Sequence, residues 1–331
     1  MAEHDARLDR APLTVAALTT CVQAAIAAPS IYNSQPWRFR IRDGGIDVFV
    51  DWSRRLQVID ASGRELLISV GAALLNLRLA MRVHDRVPLL RLWPEPADPD
   101  LVARVVPGQA VVPDPAASAL ASAIPARHTN RRPFAGTAVP TAVIAELVAA
   151  AETEGARLHV AAPVERSAIA GLIRTANQWL RSQGIYRGEL ADWKLPSRVR
   201  RGGLPPRAFG PWDAMEAVPL RDIGLTLPQL QRRDEHSEPL ATFAVLSTGA
   251  DTAEDWLQAG QALEKVLLLA TLHGVAATPM SQPLEVPELR ELFVGTDSGR
   301  RPQVLLRLGY AQPTATTPRR PLAEVLDVEL P

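Results

Sequence analysis

A single cysteine, Cys21, excludes an intrachain disulfide and suits a reducing cytoplasm, the location expected for this chain. Net charge is missing too: 36 Lys and Arg balance 36 Asp and Glu, so no global field draws the protein to nucleic acid. Each basic cluster therefore has to be read on its own. The six histidines are scattered, and no Cys or His spacing suits a metal. There is no Gly-x-Gly-x-x-Gly string, no P-loop and no nucleophile elbow, so neither a Rossmann fold nor an NTPase is supported. Uninterrupted apolar runs stay short of a membrane span. The most apolar N-terminal stretch, 13–28, is broken by Thr14, Thr19, Thr20 and Gln23; a signal peptide cleaved near Ala27 is the competing reading there.

What is present is a chain of 331 residues with 47% hydrophobic and 22% charged residues, an ordinary globular balance in a length that one core rarely serves. Two lobes, or one domain built from two halves, is the expectation. Between a helical pattern over 15–27 and a strand pattern from Trp37 lies Ala28-Pro29-Ser30-Ile31-Tyr32-Asn33-Ser34-Gln35-Pro36-Trp37. Pro29 and Pro36 fix φ at both ends and push their neighbours away from helix, which predicts a stiff, irregular arch. Ser30, Asn33 and Gln35 give it donors and acceptors, and Trp37 an apolar face. The plain alternative is a helix stop and a strand start with incidental polar residues.

After the arch, Trp37, Phe39 and Ile41 alternate with three arginines up to Asp43-Gly44-Gly45, and Ile46, Val48 and Val50 follow: a hairpin whose arginines read as a solvated face. Ser62 and Glu65 have capping-box spacing before a helix over 63–83, which accounts for those residues without chemistry; a role for Arg64 stays open. That helix is echoed later. Gly71-Ala72-Ala73-Leu74 through to His84, and Gly260-Gln261-Ala262-Leu263 through to His273, carry Gly, Ala, Leu and His at matching offsets. Each is followed by an extended segment, 89–92 and 304–308, an order that points to internal duplication and a pseudo-dimer.

Prolines and a short Ala-rich helix near 116–123 connect the halves. Arg127-His128-Thr129-Asn130-Arg131-Arg132-Pro133-Phe134 then offers guanidiniums and a hydroxyl suited to a phosphate monoester, although a solvated basic loop has the same look. Helix is predicted over 141–151, strand over 156–161, helix over 164–181, strand over 241–246 and helix over 251–272. Residues 182–239 sustain no amphipathic period. Their bulky members, Trp193, Phe209, Trp212, Met215 and Leu220, argue for an anchored, lid-like insertion rather than disorder. Ala277-Thr278-Pro279-Met280-Ser281-Gln282-Pro283 reads as a loop or a turn between helices, and 303–308 as a buried strand before Gly309-Tyr310.

The arch string resembles the signature of the nitroreductase-like FMN flavoproteins, and the later motifs, in their order, resemble the Acg-type branch of single-chain pseudo-dimers. The resemblance implies an α+β fold of two similar halves, 1–124 and 125–331, packed as an intramolecular pseudo-dimer with the insertion 182–239 as a lid. It implies FMN as cofactor, one per chain, since there is no second arch. It places Pro29, Ser30, Ile31 and Asn33 against the flavin, Arg127 and Thr129 at its phosphate and Arg131 near its pyrimidine edge, with His128 also among the cofactor-binding residues. Ser281 is the implied backbone donor to flavin N5, with Pro279 and Met280 against the ring, and Arg319 is implied at the phosphate. The implied function is an oxidoreductase passing electrons from a reduced donor such as NAD(P)H to a nitroaromatic or quinone, as a monomer with no nucleic-acid or membrane partner. The alternative is a non-catalytic FMN-binding protein whose lid occludes the flavin. On either reading the cofactor carries the hydride and the protein supplies orientation and electrostatics.

Overall fold

The computed structural model describes residues 12–194, 241–294 and 299–329. Helix α1 (Val15–Ala25) is capped by the Thr14 hydroxyl and buries Leu18, Cys21, Val22 and Ala25. The expected hairpin forms β1 (Trp37–Arg42) and β2 (Gly45–Val50), paired from Trp37↔Val50 to Arg42↔Gly45. Helix α2 (Arg64–Val83) follows, then β3 (Arg86–Leu92), β4 (Leu101–Ala110) and α3 (Pro115–Ala123).

The start of α2 differs from the capping box expected there. Asp60, not Ser62 with Glu65, does the capping: its two carboxylate oxygens accept from the backbone of Glu65 at 3.0 Å and Leu66 at 2.8 Å. Glu65 turns its side chain to Arg64 instead, at 3.0 Å. Burial pushes the Asp60 carboxyl up to about 6, against the pull of those two backbone bonds. By length and hydropathy α2 is also able to span a bilayer, which a count of uninterrupted runs misses. Its apolar window is 83% buried inside the protein, as befits a core helix.

The second half repeats the first. Its elements are α4 (Thr141–Glu152), β5 (Arg157–Val160), β6 (Thr242–Thr248), α7 (Ala253–Leu272), β7 (Ala276–Met280) and β8 (Arg301–Gly309). Strand order is β3-β4-β2-β1 in the first sheet and β7-β8-β6-β5 in the second, the same order of equivalent strands. Helices α2 and α7 are each 20 residues long and end at His84 and His273. Where the first half has only the Asp43-Gly44 turn, the second inserts α5 (Pro163–Ser182), α6 (Gly184–Lys194) and the residues up to 240. The irregular stretch expected from 182 therefore opens as helix α6; its remainder, 195–239, lies outside the described residues. The segment 277–283 also departs from the expected loop. It is strand β7 followed by the short helices α8 (Gln282–Glu285) and α9 (Pro287–Glu291). Pro279 is tolerated because β7 is a sheet edge and needs no second ladder.

Each half has its own core, and the halves meet where α2 crosses α7. Gly71 and Gly260, the matched glycines of the repeat, make that crossing. A Cβ on Gly71 would stand 2.1 Å from the Leu257 carbonyl oxygen, and one on Gly260 2.0 Å from that of Ile68. Backbone meets backbone here, so no side chain can step aside. A last strand, β9 (Leu326–Val328), returns from the second half and pairs in parallel with β1 at the edge of the first sheet. Gly71→Ala and Gly260→Ala are each expected to lower stability by about 3 kcal/mol, from overpacking at a rigid contact. The double variant should cost less than the sum, because one separation of the helices accommodates both methyl groups. Urea unfolding of the three variants measures this.

Candidate functional site

The arch is tighter than its composition requires. Tyr32, Asn33 and Gln35 all take positive φ, at 48°, 55° and 51°, a region that residues with a Cβ populate rarely. Such backbone persists only where its surroundings over-determine it. Ser30 accepts the Gln35 N–H at 3.0 Å, and the Ser69 hydroxyl on α2 accepts that of Ile31 at 3.1 Å. Trp37 is fully buried in the first core and lines neither cavity of the site, so its large ring is scaffold.

The C-terminal strap, 310–325, locks the arch from the other side. The Gln35 amide oxygen accepts the Arg320 N–H at 2.7 Å, and the buried Arg320 guanidinium donates to the Gln35 carbonyl at 3.3 Å. Asn33 donates to the Pro318 carbonyl at 2.9 Å and accepts from Arg319 at 3.0 Å. Both ends of the Asn33 amide are thus spent on the strap, and the side chain positions Arg319.

The basic string lies along β7. Thr129 bridges Ala277 in parallel fashion, and Asn130 donates its N–H to the Ala277 carbonyl at 3.0 Å. Phe134 anchors the far end between the Arg307 guanidinium, 3.9 Å from its ring centre, and Gly309, where a Cβ would stand 2.6 Å from the ring. Arg307 also donates to the Arg132 carbonyl at 3.0 Å. Only glycine at 309 leaves room for that ring.

Two adjoining cavities result. The larger encloses about 980 Å³ of non-protein space, part of it open to solvent. Its walls are Pro29, Ser30, Ile31 and Tyr32 of the arch, Glu65, Ile68, Ser69 and Ala72 of α2, Leu263 of α7, Thr278 to Gln282, Gln303 and Val304, with Thr129 and Arg131 at one end. The smaller, about 400 Å³, is lined by Pro29, Ser30, Asn33, Arg127, His128, Thr129, Arg131, Ala315, Thr317 and Arg319. Pro29, Ser30, Thr129 and Arg131 belong to both, so the two are one cleft with an apolar body and a basic end. All twelve residues singled out from the sequence line it, drawn from the arch, the basic string, β7 with Ser281, and the strap. Arg64 does not. It is buried and donates to the Gln303 carbonyl and to Glu65, a structural role.

Sequence reasoning missed the helical wall. Ile68, Ser69 and Ala72 share one face of α2, and Ser69 is a lone hydroxyl in an apolar run, the signal that marks it. It also missed Glu264 on α7, which is fully buried behind the basic end, with Arg127 Nε 3.2 Å from one carboxylate oxygen. Burial pushes Glu264 up to about 7, while Arg127, Asn76 and Arg319 pull the other way. Arg319 is lowered to about 10 by burial and then by the neighbouring Arg127. His128 is held below its ordinary value by burial and by the same two arginines. Arg127 and Arg319 both donate to the Ala27 carbonyl just beyond α1, at 3.1 and 3.0 Å, which brings two guanidiniums to one point. Across the pseudo-twofold the position of Ser69 is held by Gln258, whose amide packs against Gly155.

No protein-family model matches the chain. It is 32% identical to the Mycobacterium tuberculosis protein named "Putative NAD(P)H nitroreductase Rv3131", over 93% of this chain and 90% of that one. It is 29% identical to "Putative NAD(P)H nitroreductase acg" of the same organism, over 96% and 97%. Among solved structures, the FMN-dependent nitroreductase NfnB of Mycobacterium smegmatis in complex with NADPH aligns over 63% of this chain and 96% of that one, with 20% identity and a TM-score of 0.41. The fold is a mixed α and β pseudo-dimer with its cleft between the halves. The chain belongs to the nitroreductase-like family, with Acg-type proteins among its relatives.

Replacing Asn33 by Ala removes the Arg319 acceptor and the Pro318 donor together. The expected loss is about 1–3 kcal/mol of stability, from polar groups left without partners. Hydrogen exchange should show faster opening of the strap in this variant, with α2 unchanged.

Proposed function

We propose that this chain is an FMN-dependent oxidoreductase of the nitroreductase type, which takes electrons from a reduced donor such as NAD(P)H and passes them to a small acceptor such as a nitroaromatic or quinone. The observation that carries this reading is the single cleft with an apolar body and a basic end. A flat heteroaromatic ring suits the walls formed by Pro29, Ile31, Ile68, Ala72 and Leu263. A phosphate monoester suits Arg127, Thr129 and Arg319. The chain's own polar inventory supports the fit: the Nε atom of Arg319 is buried without a hydrogen-bond partner among the described residues, while that of Arg127 faces Glu264 at 3.2 Å.

The bound flavin would supply the hydride and electron chemistry. The chain's part is to hold and to bias it. Arg131, at the junction of the two cavities, is the cation that would stand near the ring's pyrimidine edge and stabilise negative charge there. Ser281 follows β7 directly after Pro279 and Met280 and lines the cleft, where its backbone N–H would serve as a donor to the flavin; its hydroxyl donates to Glu285 at 2.7 Å. A single such cleft among the described residues supports one flavin per chain.

One feature favours the occluded reading as the second choice. Helices α5 and α6 pack on the arch through Ala176, Leu180, Tyr186 and Trp193 against Tyr32 and Ile31, so the insertion is rooted at the mouth of the cleft. Anaerobic addition of NADH or NADPH to the purified holoprotein separates the two readings. Bleaching of the flavin band that a nitroaromatic or quinone reverses supports the oxidoreductase; reduction by dithionite alone supports the occluded form.

Arg131→Ala and Arg319→Ala are expected to lower flavin content in folded protein, read from the absorbance ratio after gel filtration; unchanged content would remove the basic end from the site. Arg127→Ala is the poorer probe. It strands the buried Glu264, at a cost of about 3–5 kcal/mol, and confounds binding with folding.

A further inference from the structure

We propose that Glu264 is a proton-linked counter-charge for the basic end of the cleft: it is the anion that Arg127 faces in the empty protein, and it takes up a proton when a phosphate dianion binds on the other side. This rests on the reading of the basic end as a flavin phosphate site. Glu264 does not line the cavity, so it never touches the ligand. It sits behind Arg127 with no solvent exposure, Arg127 Nε standing 3.2 Å from one carboxylate oxygen and the Asn76 amide beside it.

The groups that face Glu264 come from three elements. The loop after α3 supplies Arg127, the strap supplies Arg319, and α2 supplies the uncharged Asn76. His128 lies in the same pocket and responds to the same two arginines. Arg131 stands at the junction of the two cavities, is only partly buried, and is not among the groups that act on Glu264. The next residue on α7, Lys265, is turned away to Glu154 at 2.9 Å and does not compensate Glu264. Among the described residues, the cations that act on the buried carboxylate are Arg127 and Arg319, the two that a phosphate would also use.

The contest has a definite sign. Burial already favours the neutral carboxyl, and Arg127 and Arg319 hold the balance close to neutrality, at about 7. A dianion placed against those guanidiniums repels the ionised carboxylate through them and raises its proton affinity further. Binding then takes up a proton wherever the free protein is ionised, and affinity weakens as pH rises through and above that value. The equivalent position on α2 is Leu75, so this carboxylate is a feature of one half alone.

The test is flavin dissociation from the full-length holoprotein, followed by the fluorescence of released FMN between about pH 7 and about pH 9, above the second ionisation of a phosphate ester near about 6. Wild type should lose affinity by up to about tenfold per pH unit, the slope of one linked proton. Glu264→Gln and Glu264→Leu should flatten that slope, and His128→Gln should keep it, which assigns the proton to the carboxylate. If Glu264 variants do not fold, the wild-type and His128→Gln slopes still decide. A flat wild-type profile, or a slope that survives in Glu264→Gln, overturns the role of Glu264 while leaving the flavin site intact. A folded chain that binds no FMN at any pH overturns the flavin reading and this inference with it.

Discussion

The backbone-to-backbone crossing of α2 and α7 at Gly71 and Gly260 is the contact on which the rest of the structure depends. Helices that approach this closely bring their flanking turns within reach of one cleft: Ile68, Ser69 and Ala72 from one side, Leu263 from the other. A methyl group at either glycine would drive the halves apart and widen the cleft at its floor. The crossing also sets the separation of the two sheets, because each helix carries its own sheet on its outer face.

Around that axis the two halves use the same plan for different ends. In the first, the turn after α1 is the strained arch that walls the cleft; in the second, the turn after α4 is the tight Gly155 corner against Gln258. In the first, β1 and β2 join by two residues; in the second, the equivalent connection holds α5, α6 and the segment beyond. A homodimer has to write both half-sites with the same residues. A covalent pseudo-dimer does not, and the asymmetric pairs Ser69 with Gln258 and Leu75 with Glu264 show how far the halves have separated.

Much of this was legible in the sequence, because the strongest local signals agree with the global fold. The hairpin, the repeated 20-residue helices and the proline-bounded arch each follow from spacing, and the twelve residues chosen for the site line one cleft. The misses have physical causes. Asp60 caps α2 from outside the usual spacing, using both oxygens, so a capping-box pattern at Ser62 and Glu65 took its place. Pro279 argues against a strand by local rules and is admitted only because β7 is an edge. Residues 184–194 read as irregular and are helical because Tyr186 and Trp193 have the arch and the 56–59 segment to pack on. Glu264 beside Lys265 looks like surface charge, and only the fold shows one turned to Arg127 and the other to Glu154.

The strap has a consequence for how the protein comes apart. Three tasks sit on one short piece of chain: β9 closes the sheet edge on β1, Arg320 holds the carbonyls of Gln35 and Trp37, and Arg319 reaches the basic end. These bonds are carried by adjoining residues, so loss of one removes the support of the next. Opening of the cleft is therefore coupled to melting of the C-terminal strap, and a protease that trims the strap would disarm the site without touching either core.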